Sequence, residues 1–138
     1  MAITEEGIEG EKIARIILKK YGFQLFGGDW IIKSNLGKYY LVEIKHKLEC
    51  FKSPPFDGHG LDLFKIVARE QFRKDTGIKT ILLIVDKEQK RVYWNFLDSL
   101  EKGDYFKTKN NIIIYPLDNF LPEEEFVKLN EEQSNGIY

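Results

Sequence analysis

Apolar positions in residues 5–21 recur one helical turn apart: Ile13 with Ile17, Ala14 with Leu18, and Tyr21 continuing the stripe. The spacing predicts an amphipathic helix over 5–21, with Gly22 as a left-handed stop. The pattern then shortens. "FQLFGG" (23–28) reads as a short strand running into a turn, "DWIIKS" (29–34) as a second strand and "KYYLVEIKHK" (38–47) as a third. A loop with Pro54, Pro55, Gly58 and Gly60 is expected next. Helical spacing returns over 61–76, with Leu63, Val67 and Gln71 on one stripe, Phe64, Ala68 and Phe72 beside it, and Gly77 as the end. "IKTILLIVD" (78–86) is a continuous apolar run, the mark of a strand buried on both faces. "RVYWNF" (91–96) is its expected hairpin partner, with Tyr93 and Trp94 as core or cross-strand residues. "NIIIYPL" (111–117) suits an edge strand and 122–132 a terminal helix, whose acids in "PEEEF" complement its dipole. The order α-β-β-β-α-β-β predicts a mixed α/β layer fold.

Two residues interrupt the third strand: Glu43 and, on the same face, Lys45. The preceding "SNLGK" suits a three-residue loop with Gly37 left-handed and Ser34 and Lys38 as the closing pair. Opposed residue numbers then sum to about 72 by this register rule, so Ile32 faces Tyr40, Ile31 faces Leu41 and Trp30 faces Val42. The next pair is Asp29 with Glu43. Opposed side chains in an antiparallel ladder lie roughly 4.5–5.5 Å apart at Cβ, where like charges destabilise. A divalent cation turns that repulsion into ligation, and hard oxygen donors suit Mg²⁺ or Mn²⁺. Lys45 could orient a water or stabilise charge on a phosphate. A two-residue loop would shift the register by one and send Asp29 to the other face. In the plainer alternative, Asp29 caps a turn and Glu43 with Lys45 forms a solvated strand face.

Asp29, fourteen positions to Glu43, then Ile44 and Lys45 resemble the PD-(D/E)xK nuclease signature. "GDWIIKSNLGKYYLVEIKHK" resembles the core of archaeal Holliday junction resolvases and related phage or viral nucleases. "GEKIARIILKKYGF" resembles their first helix, whose Glu would be Glu11, ahead of Gly22. Gly28 stands where the family pattern has Pro, a backbone-shaping position that ligates nothing. The resemblance covers residues 7–85. It implies one domain over 1–138, with a core at 5–96, a C-terminal extension at 97–138, and a restriction-endonuclease-like αβββαβ fold whose mixed central sheet is flanked by helices. It also implies a divalent-metal-dependent DNA endonuclease of resolvase or phage repair and degradation type. Asp29, Glu43 and the Ile44 carbonyl would ligate metal, Lys45 would position the attacking water, and Glu11 would hold a metal-bound water or a second ion. Gln71 matches a polar residue often found on the following helix.

Composition adds little against this reading. The chain has 138 residues, 43% hydrophobic and 14% aromatic, a globular balance. A net charge of −1 gives no global pull toward nucleic acid or an acidic membrane, and it weakens the junction-specific version. Acid gathers near the end, in "LPEEEFVKLNEEQ". Cys50 is the one cysteine, so an internal disulfide is excluded and a reducing, cytoplasmic setting is expected. No apolar run reaches membrane-span length. His46, Lys47, Lys52 and His59 are candidate DNA contacts, the latter two in a Phe-rich loop suited to phosphates and unpaired bases. DNA is the expected partner, and a homodimer is compatible with the reading. The competing function is a nuclease-like module that binds DNA or protein without cutting.

Overall fold

The structure, a computed structural model, describes residues 5–26, 30–47, 51–53, 56–87 and 90–130. Its elements run α1 (Glu5–Lys20), β1 (Gln24–Leu25), β2 (Ile31–Lys33), β3 (Tyr39–Lys47), β4 (Phe51–Ser53), β5 (Phe56–Asp62), α2 (Leu63–Thr76), β6 (Lys79–Asp86), β7 (Arg91–Phe96), α3 (Leu97–Lys102), β8 (Phe106–Lys107), β9 (Ile112–Pro116), β10 (Leu121–Pro122) and α4 (Val127–Asn130). The first helix ends as its sequence predicts. Gly22 takes φ 92°, and Phe23 N–H returns to the Leu18 carbonyl at 3.0 Å.

The central sheet has the order β1-β2-β3-β6-β7-β10. It is mixed: β3 and β6 are parallel, and every other described pairing in it is antiparallel. Parallel neighbours need a crossover, and α2 lies within it. Side chains alternate across this sheet. Tyr40 and Val42 of β3, with Ile81, Leu83 and Val85 of β6, pack with Ala14 and Leu18 of α1. Trp94 and Phe126 join that layer with stacked rings, centroids 4.3 Å apart, an arrangement worth ~0.5–1.5 kcal/mol beyond area burial. Leu82 and Ile84 point the other way, into a second cluster with Leu61, Ile66, Leu97, Leu100, Ile113 and Tyr115. β6 is therefore clad on both faces, as its unbroken apolar run implied.

The second face holds most of what departs from the sequence expectations. Residues 51–60 are not one loop: β4 and β5 form part of a separate sheet, order β4-β5-β9-β8. β9 is accordingly interior to that sheet, where an edge strand was expected, and α3 and β8 were not foreseen. Two glycines permit the β5–β9 pairing. A Cβ on Gly58 would lie 2.0 Å from the Tyr115 carbonyl oxygen, and one on Gly60 only 1.8 Å from that of Ile113. Strand β5 runs on through Leu61 and Asp62, so α2 starts at Leu63 and not at 61. Its first N–H is met by the Asn111 carbonyl at 2.8 Å. The helix is also rotated from the expected stripe. Ile66 is its buried residue, while Phe64 and Val67 are exposed. The expected terminal helix is a 3-10 turn at Glu123–Phe126 followed by α4.

A buried polar link joins the two sheets. Asp86 at the end of β6 accepts the Tyr93 hydroxyl at 2.6 Å and lies 3.2 Å from His59 Nε2 on β5.

Two outcomes are expected. Gly60→Ala should destabilise by about 1–3 kcal/mol or more, since the added methyl meets backbone and not a yielding side chain, and a thermal melt should show it; Asp57→Ala, exposed on the same strand, should change little. Tyr115 is fully buried and donates to Glu101 Oε2 at 2.6 Å. Burial first, and then the Glu101 bond, hold its phenol far above the usual range. A raised folded-state pKa contributes stability that is present below pH ~10 and lost as pH climbs above it. Tyr115→Phe should flatten the alkaline limb of a stability–pH profile measured by denaturant unfolding.

Candidate functional site

The β2–β3 hairpin has the register its loop predicts. Ile31 pairs with Leu41, Ile32 with Tyr40 and Lys33 with Tyr39. Ser34 N–H bonds the Lys38 carbonyl at 2.8 Å, Gly37 N–H returns to Ser34 at 3.0 Å, and Gly37 takes φ 82°. Val42 N–H to the Trp30 carbonyl, 2.8 Å, extends the ladder one step toward Glu43. Even-numbered residues of β3 enter the α1 core, so Leu41, Glu43, Lys45 and Lys47 share the opposite face, toward α2.

On that face Glu43 meets α2. Arg69 directs Nε and a terminal NH₂ at the same carboxylate oxygen, Oε1, at 2.6 and 2.5 Å. The pair borders a groove of roughly 500 Å³ whose lining includes Trp30, Ile31, Leu41, Ala68 and Phe72. Lys45 is half-buried, and its ammonium is held below the ordinary lysine value. Burial is the main cause, then the like charges of Lys65 and Lys47; Asp62 and Glu43 pull the other way. Glu43, Lys45, Asp62, Lys65 and Arg69 therefore make one electrostatic neighbourhood built from β3, the end of β5 and α2.

The remaining candidates are dispersed. Asp29 and the side chain of Lys52 lie outside the described residues. Main-chain groups alternate sides along a strand. Since Val42 bonds toward β2, the Ile44 carbonyl faces that same edge, past the last described β2 pairing. Glu11 is exposed on α1, the helix covering the other face of the sheet. Gln71 does not join the site: it is exposed and donates to Asp75 at 2.9 Å along its own helix. His46 falls on the α1 face, against Gly10, so period-two alternation separates it from Lys45 and Lys47. His59 is corrected as a DNA contact. It is 1% exposed and bound to Asp86 between the sheets, out of reach of a phosphate.

Among the described residues, no three His, Cys, Asp or Glu side chains are grouped to hold a metal. Mg²⁺ asks for less: one or two carboxylates with waters and phosphate oxygens complete its shell. Glu43, a hard oxygen donor at the groove with Oε2 clear of the Arg69 contacts, fits that smaller requirement. The sequence reading missed Asp62, Lys65 and Arg69, although their spacing of three and then four residues marks one helical stripe. That stripe was the available signal, obscured by the apolar letters beside it.

No protein-family model and no curated protein matches the sequence. Among solved structures the chain is similar to Hjc of Archaeoglobus fulgidus, a Holliday junction resolvase from an archaeal hyperthermophile. The TM-score is 0.53 at 16% identity, over 94% of this chain and 98% of that one. At that identity the likeness establishes the fold: a mixed central sheet flanked by helices, as the resolvase has. No helix among the described residues is long and apolar enough to cross a membrane.

The neighbourhood of Lys45 yields a direct expectation. Followed by NMR, its titration midpoint should lie below the ordinary 10.5, and Lys65→Gln should raise it by removing a like charge. A midpoint unmoved by that change would place Lys65 too far away to matter.

Proposed function

We propose that this protein is a divalent-metal-dependent DNA endonuclease that hydrolyses phosphodiester bonds, of the PD-(D/E)xK type, in one domain spanning residues 1–138. The observation that carries the reading is the hairpin register. It sets Glu43 and Lys45 on one face of β3, beside a groove, in a fold shared with a resolvase. Asp29, Glu43 and the Ile44 carbonyl are the proposed ligands for Mg²⁺ or Mn²⁺; Glu11, on the helix across the sheet, is left out of the set. Such an ion would polarise the scissile phosphate and lower the pKa of a water. Lys45 would orient that water and stabilise charge building on the phosphate. Its half-burial suits the role, because an ammonium in a poorly hydrated site interacts more strongly with developing charge than one in bulk water.

DNA is the proposed partner, with Lys47 and Lys65 offering phosphate contacts beside the site. A homodimer belongs to the same proposal, and the exposed Phe64 and Val67 on α2 supply an apolar surface for it. The second reading is a nuclease-like binding module that holds DNA without cutting. The Arg69–Glu43 ion pair favours it to the extent that a carboxylate engaged by arginine is not free for metal.

A plasmid-cleavage assay separates the two. Cutting with Mg²⁺ or Mn²⁺, abolished by EDTA and by Asp29→Ala or Glu43→Ala in folded protein, is the expected result; wild-type rates in those variants would exclude these ligands. Lys45→Ala should slow single-turnover cleavage far more than it weakens DNA binding, since a contact made mainly in the transition state spares ground-state affinity. If it binds poorly yet cuts normally once saturated, Lys45 is an electrostatic anchor instead.

A further inference from the structure

Glu43 has a partner already. Arg69 donates its Nε–H to one oxygen of the Glu43 carboxylate and brings a terminal NH₂ close to the same oxygen, and both side chains are largely withdrawn from solvent, with 14% of the Glu43 side chain and 34% of that of Arg69 exposed. A charge-assisted contact of this kind is roughly twice as strong as a neutral hydrogen bond. Beside Lys45 on this face, Lys65 and Arg69 stand against Glu43 and Asp62. A divalent cation approaching Glu43 in the free protein would meet a guanidinium bound to its ligand and, two residues along the same strand face, the Lys45 ammonium.

A backbone phosphate changes both terms. It presents two oxygens in the geometry a guanidinium fork accepts, so Arg69 can trade a single carboxylate oxygen for a forked pair. It also brings the negative charge that the face lacks. We propose that Arg69 passes from Glu43 to a DNA phosphate when DNA binds, so that DNA and divalent cation occupy this face cooperatively. The proposal rests on the reading of Glu43 as a metal ligand. It makes Arg69 a positioning residue that keeps the carboxylate engaged until a phosphate arrives. Coupling of this kind is reciprocal: whatever factor DNA adds to cation affinity, the cation adds to DNA affinity.

The test measures binding, not turnover. Mn²⁺ is titrated calorimetrically into the wild type, Arg69→Gln and Glu43→Gln, and the affinity of each for a labelled duplex is read by stopped-flow anisotropy before turnover, with and without Mn²⁺. Wild type should gain at least about fivefold in DNA affinity from Mn²⁺, the low end of ordinary site-to-site coupling. Arg69→Gln should bind Mn²⁺ at least about fivefold more tightly than wild type without DNA, lose most of the coupling, and flatten the salt dependence of DNA binding by about one unit of slope. Arg69→Lys keeps the charge but not the fork; intermediate values are expected, and it serves if the neutral variant melts below the assay temperature. Unchanged or weaker Mn²⁺ binding in Arg69→Gln, or coupling that survives it, overturns the exchange. Mn²⁺ binding left intact by Glu43→Gln overturns the ligand reading itself, a separate failure with a separate signature.

Discussion

The candidate site depends on the register between β2 and β3. A strand has two faces, and a slip of one residue exchanges them completely. With the observed pairing, Tyr40 and Val42 enter the core under α1, and Glu43 and Lys45 are delivered to α2. With a slip, two charged groups would face Ala14 and Leu18, at a desolvation cost that no partner there could offset. The apolar core and the polar site therefore enforce the same register from opposite sides. The small loop closed by Ser34 and Lys38, with Gly37 at positive φ, is its local determinant.

What was legible in the sequence is what local rules control. The hairpin register followed from three loop residues, and the burial of β6 from an unbroken apolar run. The left-handed stops at Gly22 and Gly77 followed from the freedom of glycine. What was illegible is what tertiary pairing controls. Gly58 and Gly60 read as loop residues because glycine and proline punctuate loops; here the glycines admit a neighbouring strand too close for any Cβ. His59 read as a loop contact for the same reason, and its burial follows from its strand. In α2 the apolar letters gave a stripe rotated away from the true one, because the helix turns Lys65 and Arg69 toward β3, in line with Asp62 just before it, and leaves Phe64 and Val67 in solvent. Gln71 was drawn to the site by the family resemblance, and the observed rotation of the helix leaves it bonded to Asp75 instead.

The second sheet is not an ornament on the fold. It supplies β5, whose last residue is Asp62, and α2 starts at the very next position, its first N–H held by Asn111 at the approach to β9. The His59–Asp86–Tyr93 link then ties β5 to the central sheet through an acceptor in a dry interior, where an unmatched polar group would cost about 1–3 kcal/mol. The placement of Lys65 and Arg69 is thus set in part by the second sheet, through the strand that leads into α2.

This division has a consequence for local opening. Proteins do not unfold evenly; contiguous units open with their own free energies, below that of the whole. Glu43 belongs to β3, a strand paired with β2 as far as Leu41 and with β6 along the long parallel run from Tyr40 to Lys47. Arg69 is carried by a helix whose start hangs from β5 and the approach to β9. Fraying of the smaller sheet would therefore loosen one half of the ion pair and leave the other in place. Hydrogen exchange along α2 would follow the β5–β9 ladder, and the Glu43–Arg69 pair would carry a sensitivity to temperature and denaturant that the bulk unfolding transition does not display.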